Sequence, residues 1–286
     1  MRLAIPLTLL VFILVLTLGA TAADGPTTHA YVEDHTDRQQ LDHYRAPGDG
    51  LRPAVIFVHG GGWWRGDRRV ARIFADNFND AGVDVISVGY RLVPDVAWPD
   101  NVRDVAAAVD WVFDHAEELG IDPQRVTIMG HSAGAHLSAC VGADKRWLAE
   151  HERCPSDLAG VILLDGAAYD IPDLLSVPRP QLERNYHRAF TNDPAVWRDA
   201  SPTLNTGDVA ARSWLAILAA DRRAPGLQSA KLFEALPDGT KTQTIKTESD
   251  DHSAVLRTLA NSDDPELAVI IELVRNDALE QGDIDR

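Results

Sequence analysis

The chain has 286 residues, of which 45% are hydrophobic and 24% charged, and its formal charge is −16. That length can bury a sizeable core and suits one α/β domain better than two independent ones, and the balance excludes a disordered or fibrous chain. The acidity excludes nucleic acid as a partner, since phosphates call for clustered Lys and Arg, and adhesion to an anionic membrane surface.

Met1 and Arg2 precede the apolar run LAIPLTLLVFILVLTLG, and no further charge occurs before Asp24. This is the pattern of an export signal, and Ala20-Thr21-Ala22 supplies small residues at the spacing of a cleavage site, so residues 1–22 are expected to be removed after Ala22. The alternative is a retained N-terminal anchor, because the apolar length approaches that of a membrane span; a membrane is a partner only in that case. Residues 23–40 read as a polar leader with room for a short edge strand. The main domain is expected over 41–286.

Apolar runs bounded by Gly and Pro follow: AVIFVHG (54–60), VDVISVGY (83–90), VTIMG (126–130), GVILLDG (160–166), WLAILAA (214–220) and TQTIKTE (242–248). Most read as buried strands. Val102, Val105, Ala106, Val109, Val112, Phe113 and Ala116 recur at helical three- and four-residue steps, predicting a crossover helix capped by Asp100 or Asn101 and closed by Gly120. Further helices are predicted after Ser132, over about 226–236, and from Asp264-Pro265 onward. Alternating strand and helix imply an α/β fold with a mostly parallel central sheet and helices on both faces. From Asp170 to Asn205 five prolines interrupt any periodicity, so about 170–205 is expected to be a small cap insertion.

Two stretches carry chemistry. In VTIMGHSAGAHLSA (126–139), Ser132 stands at the corner between a strand and a helix, and Gly130 and Gly134 flank it where the two backbones approach too closely for a Cβ. The corner strains the serine backbone, points its hydroxyl off the sheet, and sets the Ala133 N–H at a helix N-terminus that favours negative charge. In HGGGWW (59–64), three consecutive glycines cost backbone entropy and pack nothing, so they are expected to turn amides toward a ligand. The candidate oxyanion donors are the N–H groups of Gly61, Gly62 and Ala133.

The pairing of HGGGWW with GHSAGAHL resembles the α/β-hydrolase superfamily, and within it the hormone-sensitive-lipase-like carboxylesterases near the feruloyl-esterase and arylformamidase groups. The likeness extends over about residues 40–260 and includes WPDNVRDVAAAVDWV and WRDASP (197–202). His131 departs from the lipase-like members, many of which carry an acid there, and this favours the esterase and formamidase branches. The resemblance implies the chain order serine, acid, histidine. Asp221, directly after WLAILAA, resembles the family's acid, and His252, in ESDDHSAV, its base. Asp165 or Asp170 is the alternative acid, with Asp250 or Asp251 more remote.

The expected function is an exported serine carboxylesterase acting on a small-molecule ester through Ser132, His252 and Asp221, with no cofactor and no metal. An arylformamidase or other amide hydrolase using the same residues is the alternative, and a catalytically silent hydrolase fold used for binding is the rival from another class. Cys140 is expected to be a buried free thiol rather than Cys154's disulfide partner. His136 is read as a buried helix residue, His187 as part of the cap, and Asp104 as a structural hydrogen-bond acceptor. His131 is expected to pack more than to line a pocket, and Trp63 and Trp64 serve equally as core or as pocket wall.

Overall fold

The computed structural model describes residues 25–249 and 251–276, and the expected export segment lies outside them. Eight strands build one sheet: β1 (Thr27–Ala30), β2 (Gln40–Tyr44), β3 (Arg52–Val58), β4 (Asp84–Val88), β5 (Ile121–His131), β6 (Gly160–Leu164), β7 (Ser213–Leu218) and β8 (Lys241–Lys246). Their order is β1-β2-β4-β3-β5-β6-β7-β8. The first two pairings are antiparallel and the others parallel, which is the mostly parallel sheet that alternating elements imply.

The helices are α1 (Ala75–Asp80), α2 (Asp100–Asp114), α3 (Ala116–Leu119), α4 (Ala133–Ala143), α5 (Lys145–Ala149), α6 (Ile171–Leu175), α7 (Pro180–Phe190), α8 (Pro194–Asp199), α9 (Arg223–Ala235), α10 (Ala254–Thr258) and α11 (Pro265–Asn276). They cover both faces. Every residue of β3, β4, β6 and β7 is therefore buried, and these strands read as near-continuous apolar runs. Alternate side chains serve opposite cores. Ile56, Val58 and Ile128 meet the α2 stripe of Val102, Val105 and Val109, whereas Val55, Phe57 and Met129 meet Phe74, Phe78 and the Leu267 and Ile270 face of α11. Burying each of these valines contributes about 1.5–3 kcal/mol relative to exposure.

The stripe on α2 sits as its periodicity predicts, but its start differs. The helix begins at Asp100 with Pro99 at the cap position and no side-chain capping bond, so Asp100 contributes only a favourable charge in the first turn. Gly120 does close α3, with φ of 70°. Asp104 is a structural acceptor: it takes the Arg91 backbone N–H at 2.8 Å, the Arg91 guanidinium, and Gln39 Nε2 at 3.0 Å. This ties β4's exit and the N-terminal leader to α2. Between β6 and β7, the proline-rich segment forms α6, α7 and α8, each with Pro at its first or second position, where the missing N–H costs nothing. Cys140 and Cys154 are both free, Cys140 being buried. Among the described residues no helix is long and apolar enough to cross a membrane, and no group of His, Cys, Asp and Glu is arranged to hold a metal ion.

Candidate active site

Ser132 sits between β5 and α4, at φ 56° and ψ −115°. A β-carbon residue in such a conformation costs about 1–3 kcal/mol and survives only where its surroundings impose it. They do so through packing. A Cβ at Gly134 would lie 2.0 Å from the Val58 carbonyl oxygen, and one at Gly130 would lie 2.2 Å from that of Gly134, so the corner closes only with glycine at both positions. Two backbone bonds fix the serine itself: its N–H donates to the Leu164 carbonyl of β6 at 3.0 Å, and its carbonyl accepts from His136 N–H at 3.2 Å.

The hydroxyl faces an imidazole. His252 Nε2 is 2.9 Å from Ser132 Oγ, and on the far side of the ring Nδ1 is 2.6 Å from Asp165 Oδ2. The chain contributes these groups from three strand ends, after β5, after β6 and beyond β8, which is the sheet edge where open α/β folds assemble sites. Asp165 follows β6 directly. Its N–H donates to the Ile217 carbonyl at 2.8 Å, and its Oδ1 accepts the Ala219 N–H at 3.2 Å. A fully buried carboxylate is thus held by one imidazole and one amide, with the Arg222 guanidinium (Nη1) also against it and against His252 Nδ1.

The acid in contact with the imidazole is therefore not Asp221. Asp221 is exposed on the turn three residues beyond the end of β7, and it has no hydrogen bond or ion pair among the described residues. The reason lies in that turn. Ala219 N–H is drawn to Asp165, Ala220 N–H to the Ser249 carbonyl at 2.9 Å, and Arg222 N–H back to Ala219, so Arg222 turns inward and Asp221 outward. Asp170 and Asp251 are engaged elsewhere. Asp170 caps α6 through Asp173 N–H, and Asp251 pairs with Arg257 at 2.5 Å; Asp250 lies outside the described residues. Both strand ends offered an aspartate in the same local setting, and no signal in the sequence separated them, because the choice depends on how the turn after β7 is held by acceptors on other strands.

The glycine loop lies against this group. A Cβ at Gly60 would fall 2.9 Å from His131 Nδ1 and 3.2 Å from Ser132 Cβ. Gly61 and Gly62 have φ of 125° and 61°, the left-handed side that favours glycine. The Gly61 carbonyl accepts the N–H groups of Trp64 and Arg65 at 3.4 and 3.2 Å. Among the described residues, the N–H groups of Gly61 and Gly62 have no acceptor, and that of Ala133 opens α4, where none is available within the helix. Three unclaimed amides thus belong to segments that meet beside Ser132.

Three buried histidines brace the site. His59 stacks on Tyr90 at 4.4 Å, and its Nδ1 donates to the Gly60 carbonyl at 2.8 Å. His131 stacks on His252 at 4.6 Å and donates from Nε2 to the His252 carbonyl at 3.1 Å, so it packs against that imidazole and holds its loop. His136 accepts from Trp63 Nε1 at 3.2 Å and donates from Nε2 to the Ala200 carbonyl at 2.7 Å, linking the glycine loop, α4 and the segment after α8. Burial pushes each of the three down to about 4, so all are neutral at pH 7. Trp63 is core: it is 5% exposed, with Tyr186 and Phe190 of α7 packed edgewise on it. Trp64 is exposed beside the loop. His187 stacks on Trp197 within the cap.

Comparison with known proteins agrees with this architecture. Residues 41–157 match the BD-FAE family. The carboxylic ester hydrolase LipN of Mycobacterium tuberculosis is 37% identical over 142 residues, covering 47% of this chain and 38% of LipN. A truncated carbohydrate esterase from gut microbiota superposes with a TM-score of 0.71 at 21% identity, covering 88% of this chain and 99% of that one. The butyrate-bound esterase Est2 of Thermogutta terrifontis superposes with a TM-score of 0.66 at 26% identity, covering 87% and 94%. The alignments span only 22% to 44% of the lengths of the curated relatives. With an eight-stranded sheet of this order, a serine elbow after β5 and a glycine loop after β3, the chain is similar to the BD-FAE proteins over residues 41–157 and, over part of its length, to carboxylic ester hydrolases such as LipN.

Proposed function

We propose that this protein is an exported serine carboxylesterase. A serine hydroxyl is a weak nucleophile at neutral pH, and it needs a base held in one tautomer. In this reading His252 Nε2 takes the proton from Ser132 Oγ as the oxygen attacks the ester carbonyl, while Asp165 accepts from Nδ1–H and stabilises the imidazolium. The tetrahedral oxyanion is held by the amides of Gly61, Gly62 and Ala133. His252 then returns its proton to the leaving alcohol, and water repeats the sequence on the acyl-enzyme to release the acid. The protein's own side chains carry every proton, and the scheme involves no cofactor.

The observation that carries the reading is the relay Ser132 Oγ, His252 Nε2 at 2.9 Å, and Nδ1 to Asp165 at 2.6 Å. Kinship to carboxylic ester hydrolases supports an ester rather than an amide, and the butyrate on Est2 makes a short-chain acyl group the first substrate to try. Export rests on the N-terminal run of residues 3–19 and the small residues before Ala22. The test is hydrolysis of 4-nitrophenyl butyrate by the mature protein. Ser132→Ala should lower kcat on the order of 10⁶-fold. Turnover by that variant near the wild-type rate would remove Ser132 from the chemistry, and faster hydrolysis of aryl formamides than of butyryl or acetyl esters would shift the substrate to amides.

A further inference from the structure

Trp64, the last residue of the HGGGWW stretch, has two guanidinium groups over its ring: Arg65 at 4.9 Å and Arg188 of α7 at 4.5 Å. Its indole lies against the glycine loop, with Nε1 3.1 Å from where a Cβ at Gly62 would stand, and Arg65 Cγ is 3.1 Å from the corresponding point at Gly61. The platform is therefore built onto two of the residues assigned to the oxyanion. Gly62 is only two residues from Gly60, which touches Ser132, a span of at most about 7 Å. The same helix that supplies Arg188 also reaches the other side of the site. Its Tyr186 packs on Trp63 and lies within electrostatic reach of Arg222, which contacts Asp165 and His252.

This rim places two positive charges on one ring of a molecule whose formal charge is −16. The chain carries 43 acidic against 27 basic residues, and at least ten of its arginines engage carboxylates. Arg65 and Arg188 are exposed and have no carboxylate partner among the described residues, their contacts being with the Trp64 ring. Stacking fixes a guanidinium plane while leaving its N–H edge free, and that edge matches a carboxylate in two-point geometry.

Resting on the hydrolase reading above, we propose that Trp64, Arg65 and Arg188 form a subsite for a carboxylate group on the substrate, so that the preferred esters are anionic, with the charge a few bonds from the scissile carbonyl. The aromatic face takes the apolar carbons between the ester and the charge. The two guanidinium edges take the carboxylate.

Two matched pairs of esters test this: phenyl hemisuccinate against phenyl butyrate, with the charge on the acyl side, and 3-acetoxybenzoate against phenyl acetate, with the charge on the leaving group. At least one pair should show a preference of about tenfold or more in kcat/KM for the charged member, the range of a charge-assisted hydrogen bond. The double substitution Arg65→Gln/Arg188→Gln should bring that ratio toward one. Calorimetric titration of the same ligands into the Ser132→Ala variant reads the subsite without turnover, and the charged ligand should bind tighter there by a similar factor. No preference in either pair, or a preference that survives the double substitution, overturns the proposal. If the wild-type protein hydrolyses none of the four esters, the hydrolase reading fails, and the titrations still decide whether the carboxylate site exists.

Discussion

At Asp165 a single side chain decides which strand end meets the His252 imidazole. Its backbone is also in the left-handed region, with φ of 48°, which turns the carboxylate from the end of β6 toward His252. Burial makes the position demanding: a carboxylate with no exposed surface keeps its charge only through the partners around it, here His252, the Ala219 amide and Arg222. Replacing Asp165 by Asn leaves the volume but removes the acceptor that holds Nδ1–H, so kcat should fall on the order of 10⁴-fold. Asp221→Asn, on the exposed turn, should stay within about twofold of wild type. Steady-state kinetics on 4-nitrophenyl butyrate separate the two, and the reverse ranking would return the acid to Asp221. The sequence offered both residues in the same kind of setting, an aspartate after a buried strand. What distinguished them was the direction of the turn after β7, which depends on the amides of Ala219 and Ala220 finding acceptors on other strands.

At the scale of elements, the corner between β5 and α4 was legible because steric exclusion leaves a local mark: glycine two residues either side of a serine, after an apolar run and before a small-residue helix. The α2 stripe was legible for the same reason, since a helix packed on a sheet repeats its apolar residues every three or four positions. The cap was legible only as a break in that order, because prolines announce interruption without fixing how α6, α7 and α8 pack. Contacts made across the cap, such as Trp63 with Phe190 and His136 with Ala200, join residues 64 to 127 positions apart and leave no periodic trace. The tightness of the corner gives a direct expectation. Gly134→Ala would press a Cβ against the Val58 and His59 carbonyls at 2.0 and 2.7 Å, at the base of the glycine loop. It should destabilise by about 1–3 kcal/mol, lower Tm by several degrees, and reduce kcat by displacing the loop amides. An unchanged Tm with full activity would mean that the two backbones are not in contact there.

For the whole molecule, the three neutral histidines at the site make stability depend on pH. His59, His131 and His136 each have a folded pKa of about 4, against about 6.5 in the unfolded chain, so between those values the unfolded state binds protons that the folded state refuses. The burial is without penalty above about pH 6.5, and stability falls as pH drops toward 4, by up to about 1.4 kcal/mol per pH unit for each histidine. Glu266, pushed up to about 7 by burial and by the neighbouring Asp264, acts in the opposite sense over part of that window, one half-buried group against three buried ones. Tm should therefore hold between pH 7.5 and about 6.5 and decline from there to pH 5, and no decline below pH 6.5 would show that the histidines are not buried as described. The assembly that matters most joins segments 87 and 120 residues apart, Asp165 to His252 and Ser132 to His252. The most direct measurement is mass-spectrometric mapping of a fluorophosphonate on the folded protein: one adduct on Ser132, with labelling abolished or slowed by orders of magnitude in His252→Ala. Absence of labelling in the folded wild-type protein, or equal labelling of the His252→Ala variant, would contradict a serine activated by that imidazole.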